Sequence, residues 1–167
     1  MFFEESHIKH DGLSFLITKG PDKDSVKDYV KLLKSYNTTV VIRACAPTYP
    51  VEYLEKNGIT VHDMNFPDGD GPPKAIKLQW MRVLSEVYNN EKGDKKSAKP
   101  KTIALHCVAG LGRAPALVAL ALIQSNVSAV KAIEIIRNKR KGAFNQKQIS
   151  YLLKSKKVKT SGPCSIM

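Results

Sequence analysis

Eight residues, "HCVAGLGR" from His106 to Arg113, combine the side chains that chemistry at a phosphoryl group requires. Cys107 closes an apolar run, five residues intervene, and Arg113 stands where a second apolar run begins. A strand, a glycine-bearing turn and a helix start form an anion site, because successive backbone N–H groups and the helix dipole converge on one point. Gly110 and Gly112 allow backbone angles and a close approach denied to other residues. Arg113 adds a planar fork able to hold two phosphate oxygens. Cys107 in that field favours its thiolate, a nucleophile for in-line attack on phosphorus that leaves a phosphocysteine for water to hydrolyse. The reading requires no metal and no cofactor. A glycine loop of the Walker type is excluded, since no Gly-Lys-Ser/Thr follows.

Such a nucleophile also needs a proton donor for the leaving oxygen. The stretch "DMNFPDGDGPP", Asp63 to Pro73, follows a strand-like run about forty residues upstream and is rich in turn formers. Asp68 is the first candidate for the acid and Asp70 the alternative. Open α/β sheets place their sites at the carboxyl ends of strands, where both segments belong.

The elements that must position these residues follow from periodicity. Strands are expected at Leu13 to Thr18, Thr39 to Ala44, Ile59 to Met64 and Thr102 to His106. Helices are expected over Asp24 to Ser35, over Tyr49 to Lys56, and from Pro72 or Pro73, with Ile76, Trp80, Val83, Leu84 and Val87 on one face. The run Ala114 to Ile123 is apolar all round and predicts a helix buried on every side. Ser128 is expected to cap the next helix, with Val130, Ile133 and Ile136 inward and Gly142 just past its end. Asn145 and Gln148 have the spacing of a capping box for a last helix burying Ile149, Leu152 and Leu153. The alternation predicts an α/β domain whose mainly parallel central sheet of about four to five strands carries helices on both faces.

The chain has 167 residues, enough for one domain with a core of its own. Three cysteines without paired spacing fit a reducing compartment. No apolar run is long enough to span a bilayer and the N-terminus lacks the charge order of a secretory signal, so a cytosolic chain is expected. The net charge of +12 asks for a polyanionic partner. Ten Lys or Arg and one acid, Glu134, lie between Lys131 and Lys159. With no basic and aromatic interleaving and no zinc-finger spacing, nucleic acid is set aside in favour of a membrane surface or a phosphorylated substrate.

"HCVAGLGRAPALVALALI", "KRKGAFNQKQISYL" and "VIRACAPTY" together resemble the phosphatases of regenerating liver, within the cysteine-dependent tyrosine and dual-specificity phosphatases. The resemblance runs from about Leu13 to the C-terminus. It implies a phosphatase domain over 1–155 and a polybasic tail over 156–167. It implies Cys107 as nucleophile, Asp68 as general acid and Arg113 as phosphate clamp. Val108, Ala109, Gly110, Leu111, Gly112 and Arg113 become the phosphate loop, and His106 tunes the thiolate. Where most relatives carry a hydroxyl after the loop arginine this chain has Ala114, which implies slow turnover through a long-lived phosphocysteine.

The resemblance further implies a regulatory disulfide between Cys45 and Cys107. "CSIM" reads as a prenylation end with Cys164 the lipidated residue, which implies peripheral attachment to the cytoplasmic face of plasma or endosomal membranes beside a cytosolic pool. Implied partners are phosphotyrosine-bearing phosphoproteins or phosphoinositides as substrates, cyclin M-type magnesium-transport mediators for docking, and further copies of the chain in homotrimers. The acid loop departs from the subfamily, which has Trp-Pro-Phe-Asp-Asp-Gly where this chain reads "MNFPDGDGPP".

Overall fold

The computed structural model describes residues 2–89 and 100–159. Cys164 and the prenylation end lie outside the described residues. The described chain forms β1 (Ser6–His10), β2 (Leu13–Lys19), α1 (Val26–Ser35), β3 (Thr38–Arg43), α2 (Glu52–Lys56), β4 (Thr60–Asp63), α3 (Lys74–Tyr88), β5 (Thr102–Cys107), α4 (Arg113–Gln124), α5 (Ala129–Lys139) and α6 (Gln146–Lys154).

One five-stranded sheet has the order β1-β2-β5-β3-β4. β2, β5, β3 and β4 run parallel, and β1 pairs antiparallel with β2. Alternation along the central strands divides the core. Phe15, Ile17, Ile42, Ile103 and Leu105 face the layer of α3, α4 and α5, on which α6 packs in turn, while Leu16, Val41 and Ala104 face α1 and α2. β5 is buried at every position, as a central strand covered on both faces must be. Helix α4 is likewise buried throughout, and Trp80 of α3 donates its indole N–H to the Leu117 carbonyl at 2.7 Å. The loop between Cys107 and Arg113 is therefore mounted on the most enclosed strand and the most enclosed helix of the domain.

The expected α/β architecture stands, with local differences, the first being that the helix expected from Tyr49 begins only at Glu52, past Pro50. β1 is absent from the expected strands; "SHIKH" is too polar to signal one, and only Ser6 and Ile8 turn inward at the sheet edge. Val130 is 65% exposed, since the inward face of α5 runs through Ala132, Ile133 and Ile136. Leu153 is also exposed, because α6 presents Gln148 and Leu152 to the core and half-buries Ile149. The caps are as expected: the Ser128 side chain accepts from Lys131 N, and Asn145 and Gln148 form a complete capping box.

Candidate active site

The parallel arrangement brings the carboxyl ends of β3, β4 and β5 to one edge, and with them Cys45, the acid loop and Cys107. A cleft of about 550 Å³ opens there between Cys45, Thr48, Phe66, Pro67, Val108 and Arg113. A larger cavity of about 820 Å³ lies near the opposite strand ends, around His7, Ser14 and Thr102. Ser14 there is bonded to both His7 and Thr102, at 2.7 and 2.8 Å, but no guanidinium or acid joins them. The smaller cleft is the one lined by a thiol and a guanidinium.

In the loop itself, every carbonyl from Val108 to Gly112 is taken from behind. Val108 O accepts from Gly20 N (3.1 Å), Ala109 O from Arg140 Nη2 (3.1 Å) and Gly110 O from Arg140 Nε (2.5 Å). Leu111 O accepts from Phe144 N (2.8 Å) and Gly112 O from Ala116 N (3.0 Å). None of the N–H groups of Val108 to Gly112 donates to an acceptor among the described residues. With the carbonyls turned out, the amides form a nest suited to an anion. Gly110 is obligatory: its φ is +72°, and any side chain there would bring a Cβ within 2.5 Å of the Thr18 carbonyl.

Arg113, the first residue of α4, is buried, and its Nη1 donates to Phe66 O at 3.3 Å. Its Nε lies 3.5 Å from Asp68 Oδ1, an ion-pair distance too long for a good hydrogen bond, so this buried N–H remains without a hydrogen-bond acceptor. A buried guanidinium edge left this way is a site for an oxyanion. Asp68 is 83% exposed at the same mouth, whereas Asp70 is held by Lys147 at 2.5 Å. The geometry therefore favours Asp68 over Asp70.

Behind Cys107, His106 is wholly buried. Its Nδ1 faces Cys107 O at 3.3 Å and its Nε2 the Tyr49 hydroxyl at 2.7 Å. The carbonyl can only accept, so Nδ1 carries the proton and Nε2 accepts from Tyr49, a tautomer assigned from its partners. Burial pushes its pKa down to about 4; the Cys107 carbonyl opposes this and the Arg43 charge adds to it. The imidazole is accordingly neutral at pH 7 and sits behind Cys107 with its ring fixed at both nitrogens.

Tyr49 is in turn fixed by Arg43, whose Nη1 donates to Tyr49 O at 2.6 Å and whose guanidinium carbon lies 4.9 Å from the ring centroid. Asp63 holds Arg43 from the other side with two bonds of 2.5 and 2.9 Å, which keep its carboxyl below the usual range. Cys45 is buried with Sγ 4.0 Å from His106 Nδ1, and that burial pushes its thiol up. Cys45 and Cys107 are both free thiols at this edge. Ala114 is fully buried behind the loop.

The supporting residues Tyr49, Arg43, Asp63 and Arg140 escape a reading of the sequence alone. An arginine inside the apolar strand run "TVVIRA" is the one visible signal, because a charge there needs a partner. Arg140, hidden in a basic run, carries no such signal.

Comparison with known proteins points to one family. The family model described as protein-tyrosine phosphatase matches residues 51–155. "Probable protein tyrosine phosphatase type IVA A" of Dictyostelium discoideum is 48% identical over 153 residues, covering 92% of this chain and 87% of that protein. Protein tyrosine phosphatase type IVA 3 of Mus musculus is 44% identical over 147 residues, covering 88% and 81%. A solved structure from Leishmania major, named as a protein tyrosine phosphatase, superposes with a TM-score of 0.84 at 40% identity, covering 92% of this chain and 99% of that one. With the family model, these identities and the dual-specificity-like sheet in agreement, this chain belongs to the protein tyrosine phosphatase family, in its type IVA branch.

Proposed function

We propose that the chain hydrolyses phosphomonoesters, with phosphotyrosine in proteins as the preferred substrate, through a phosphocysteine on Cys107. One observation carries the reading: five consecutive loop carbonyls are occupied from behind, while the loop amides and the buried Arg113 Nε are left for a dianion. Cys107 Sγ attacks phosphorus opposite the leaving oxygen; the S–P bond forms as the P–O bond breaks, and Asp68 gives its proton to the departing phenoxide. Water then attacks the phosphocysteine, Asp68 takes its proton, the P–S electrons return to sulfur and inorganic phosphate leaves. The loop amides and Arg113 hold the equatorial oxygens through both steps.

Ala114 offers no hydroxyl to the departing thiolate, so hydrolysis of the intermediate limits turnover. Cys45 serves as the partner thiol in a reversible disulfide with Cys107 that protects the nucleophile from overoxidation. The tail carries a lipid on Cys164, and the lysines before it hold the chain peripherally on an anionic cytoplasmic membrane face. That placement supports phosphoinositides as the second substrate class.

The test is side-by-side release of phosphate from phosphotyrosyl peptides and from phosphoinositides in vesicles, with Cys107→Ser as blank. Faster peptide turnover supports the reading; lipid turnover alone replaces it with the phosphoinositide assignment. Cys164→Ser is expected to move the protein out of the membrane fraction of cells, and unchanged fractionation refutes the lipid anchor.

A further inference from the structure

Helix α6 holds the acid loop along its length, although no residue of α6 enters the chemistry described above. The Asn145 side-chain amide donates to Gly69 O at 3.0 Å, Lys147 pairs with the Asp70 carboxylate, Gln148 Nε2 donates to Asp70 O at 3.3 Å, and the Tyr151 hydroxyl donates to Pro72 O at 2.7 Å. Tyr151 also lays its ring where a side chain on Gly71 would have to go. Four consecutive residues after Asp68 are thus buttoned to two turns of one helix.

The four tethers are unequal. Lys147 is 73% exposed, and an ion pair in water contributes little. Gln148 is 1% exposed, and its amide reaches two loops at once. Its Oε1 accepts from Asn145 N at 3.0 Å and so cannot turn away. Its Nε2 serves Asp70 O while lying so close to Gly112 that a Cβ there would meet it at 2.9 Å. Gln148 is therefore wedged between the last residue of the phosphate loop before Arg113 and the backbone two residues beyond Asp68.

We propose that Gln148 is a positioning residue for the general acid, holding the acid loop in register over the phosphate loop; this rests on the assignment of Asp68 as the acid. The carboxyl of Asp68 reaches the mouth on an exposed loop, so its distance from the leaving oxygen is set by the Arg113 bond to Phe66 O before it and by the backbone anchors that follow it. Losing the buried anchor lets the loop ride away from the nucleophile. Proton donation weakens while the thiolate, the amides and Arg113 stay in place.

That division gives a readout that a merely structural role would not move. A leaving group acidic enough to depart as its anion does not need the acid, whereas one that is poor does. The value of kcat/KM ends at phosphorylation of the thiol, so slow hydrolysis of the phosphocysteine does not mask it. The full-length protein and its Gln148→Met and Gln148→Glu variants are assayed on p-nitrophenyl phosphate and phenyl phosphate. Methionine keeps the shape without the donor; glutamate keeps the acceptor that caps α6 and adds a charge whose effect on phosphate binding is common to both substrates.

In both variants kcat/KM for phenyl phosphate is expected to fall about tenfold while that for p-nitrophenyl phosphate stays within about twofold. Equal loss on both substrates means that Gln148 acts on the phosphate loop through Gly112, and overturns the proposal, as does no loss on either. Asp68→Ala runs alongside and should show the same selectivity to a larger degree. A selective Asp68→Ala profile beside unselective Gln148 variants overturns this inference alone. An unselective Asp68→Ala profile overturns the acid assignment and the inference together.

Discussion

Acidification should unfold this protein through one histidine, and the size of the effect follows from its burial. His106 is wholly enclosed, neutral and hydrogen-bonded at both nitrogens, with a pKa lowered from 6.5 to about 4. In the unfolded chain it protonates near its ordinary value. The folded-state value is the depressed one, so the stabilisation is present above about pH 6.5 and is lost as pH falls toward 4. Between about pH 7 and about pH 4.5 the loss is on the order of 2 to 3 kcal/mol, a large share of an ordinary domain's stability.

Other groups also titrate on acidification, His7 among them because burial lowers its pKa as well, and a variant separates them. His106→Gln cannot take the proton, so the stability gap between wild type and variant should shrink by that amount across the interval. Urea unfolding followed by the fluorescence of the single, buried Trp80 measures the gap at each pH. A gap that stays constant with pH would show that His106 is not buried in the neutral form, and would refute the picture of an uncharged ring behind Cys107.

Further outcomes follow from the same contacts. Gly110→Ala forces a side chain against the Thr18 carbonyl at φ +72°, and a loop displaced by this costs at least about 100-fold in kcat/KM with the fold retained by circular dichroism. Ala114→Ser should speed single-turnover breakdown of the phosphocysteine about tenfold, the effect of one hydrogen bond of about 1.4 kcal/mol; an unchanged rate removes the explanation for slow turnover. Mild peroxide should yield the Cys45 to Cys107 disulfide by peptide mass mapping, and sulfinic acid on Cys107 in Cys45→Ser; irreversible oxidation of Cys107 in the wild type as well refutes the protective role.

The division between what the sequence discloses and what it hides has a physical basis. Local patterns carry local structure: the all-apolar run from Ala114 marks a buried helix, and Asn145 with Gln148 marks a capping box because both partners lie within one turn. Cys107, Gly110 and Arg113 are legible for the same reason, a strand, a turn and a helix start being contiguous. The residues that brace the loop are remote from it in sequence. Arg140 reaches Ala109 and Gly110 across thirty residues, and Phe144 bonds Leu111 from a left-handed backbone conformation, φ +71°, that nothing in its side chain suggests.

Polar edge elements form the second blind spot. β1 is held by backbone pairing with β2, and its side chains alternate too weakly to show it. At Val130 and Leu153 apolar residues stay in solvent, because helix phase is set by the neighbours a helix packs on. A contact past α6 is a third case. Gln124 clasps Val158 through two hydrogen bonds of 2.8 and 3.1 Å, so the chain packs on α4 beyond Ser155.

The central claim is that the loop from Cys107 to Arg113 holds a phosphoryl group on sulfur. Rapid acid quenching after mixing with p-nitrophenyl phosphate, followed by peptide mass spectrometry, measures it directly. A burst of nitrophenol approaching one per protein is expected, with an equal yield of phosphate on the Cys107 peptide, both absent in Cys107→Ser. Nitrophenol release by wild type without a phosphorylated Cys107, or continued in Cys107→Ser, would contradict it.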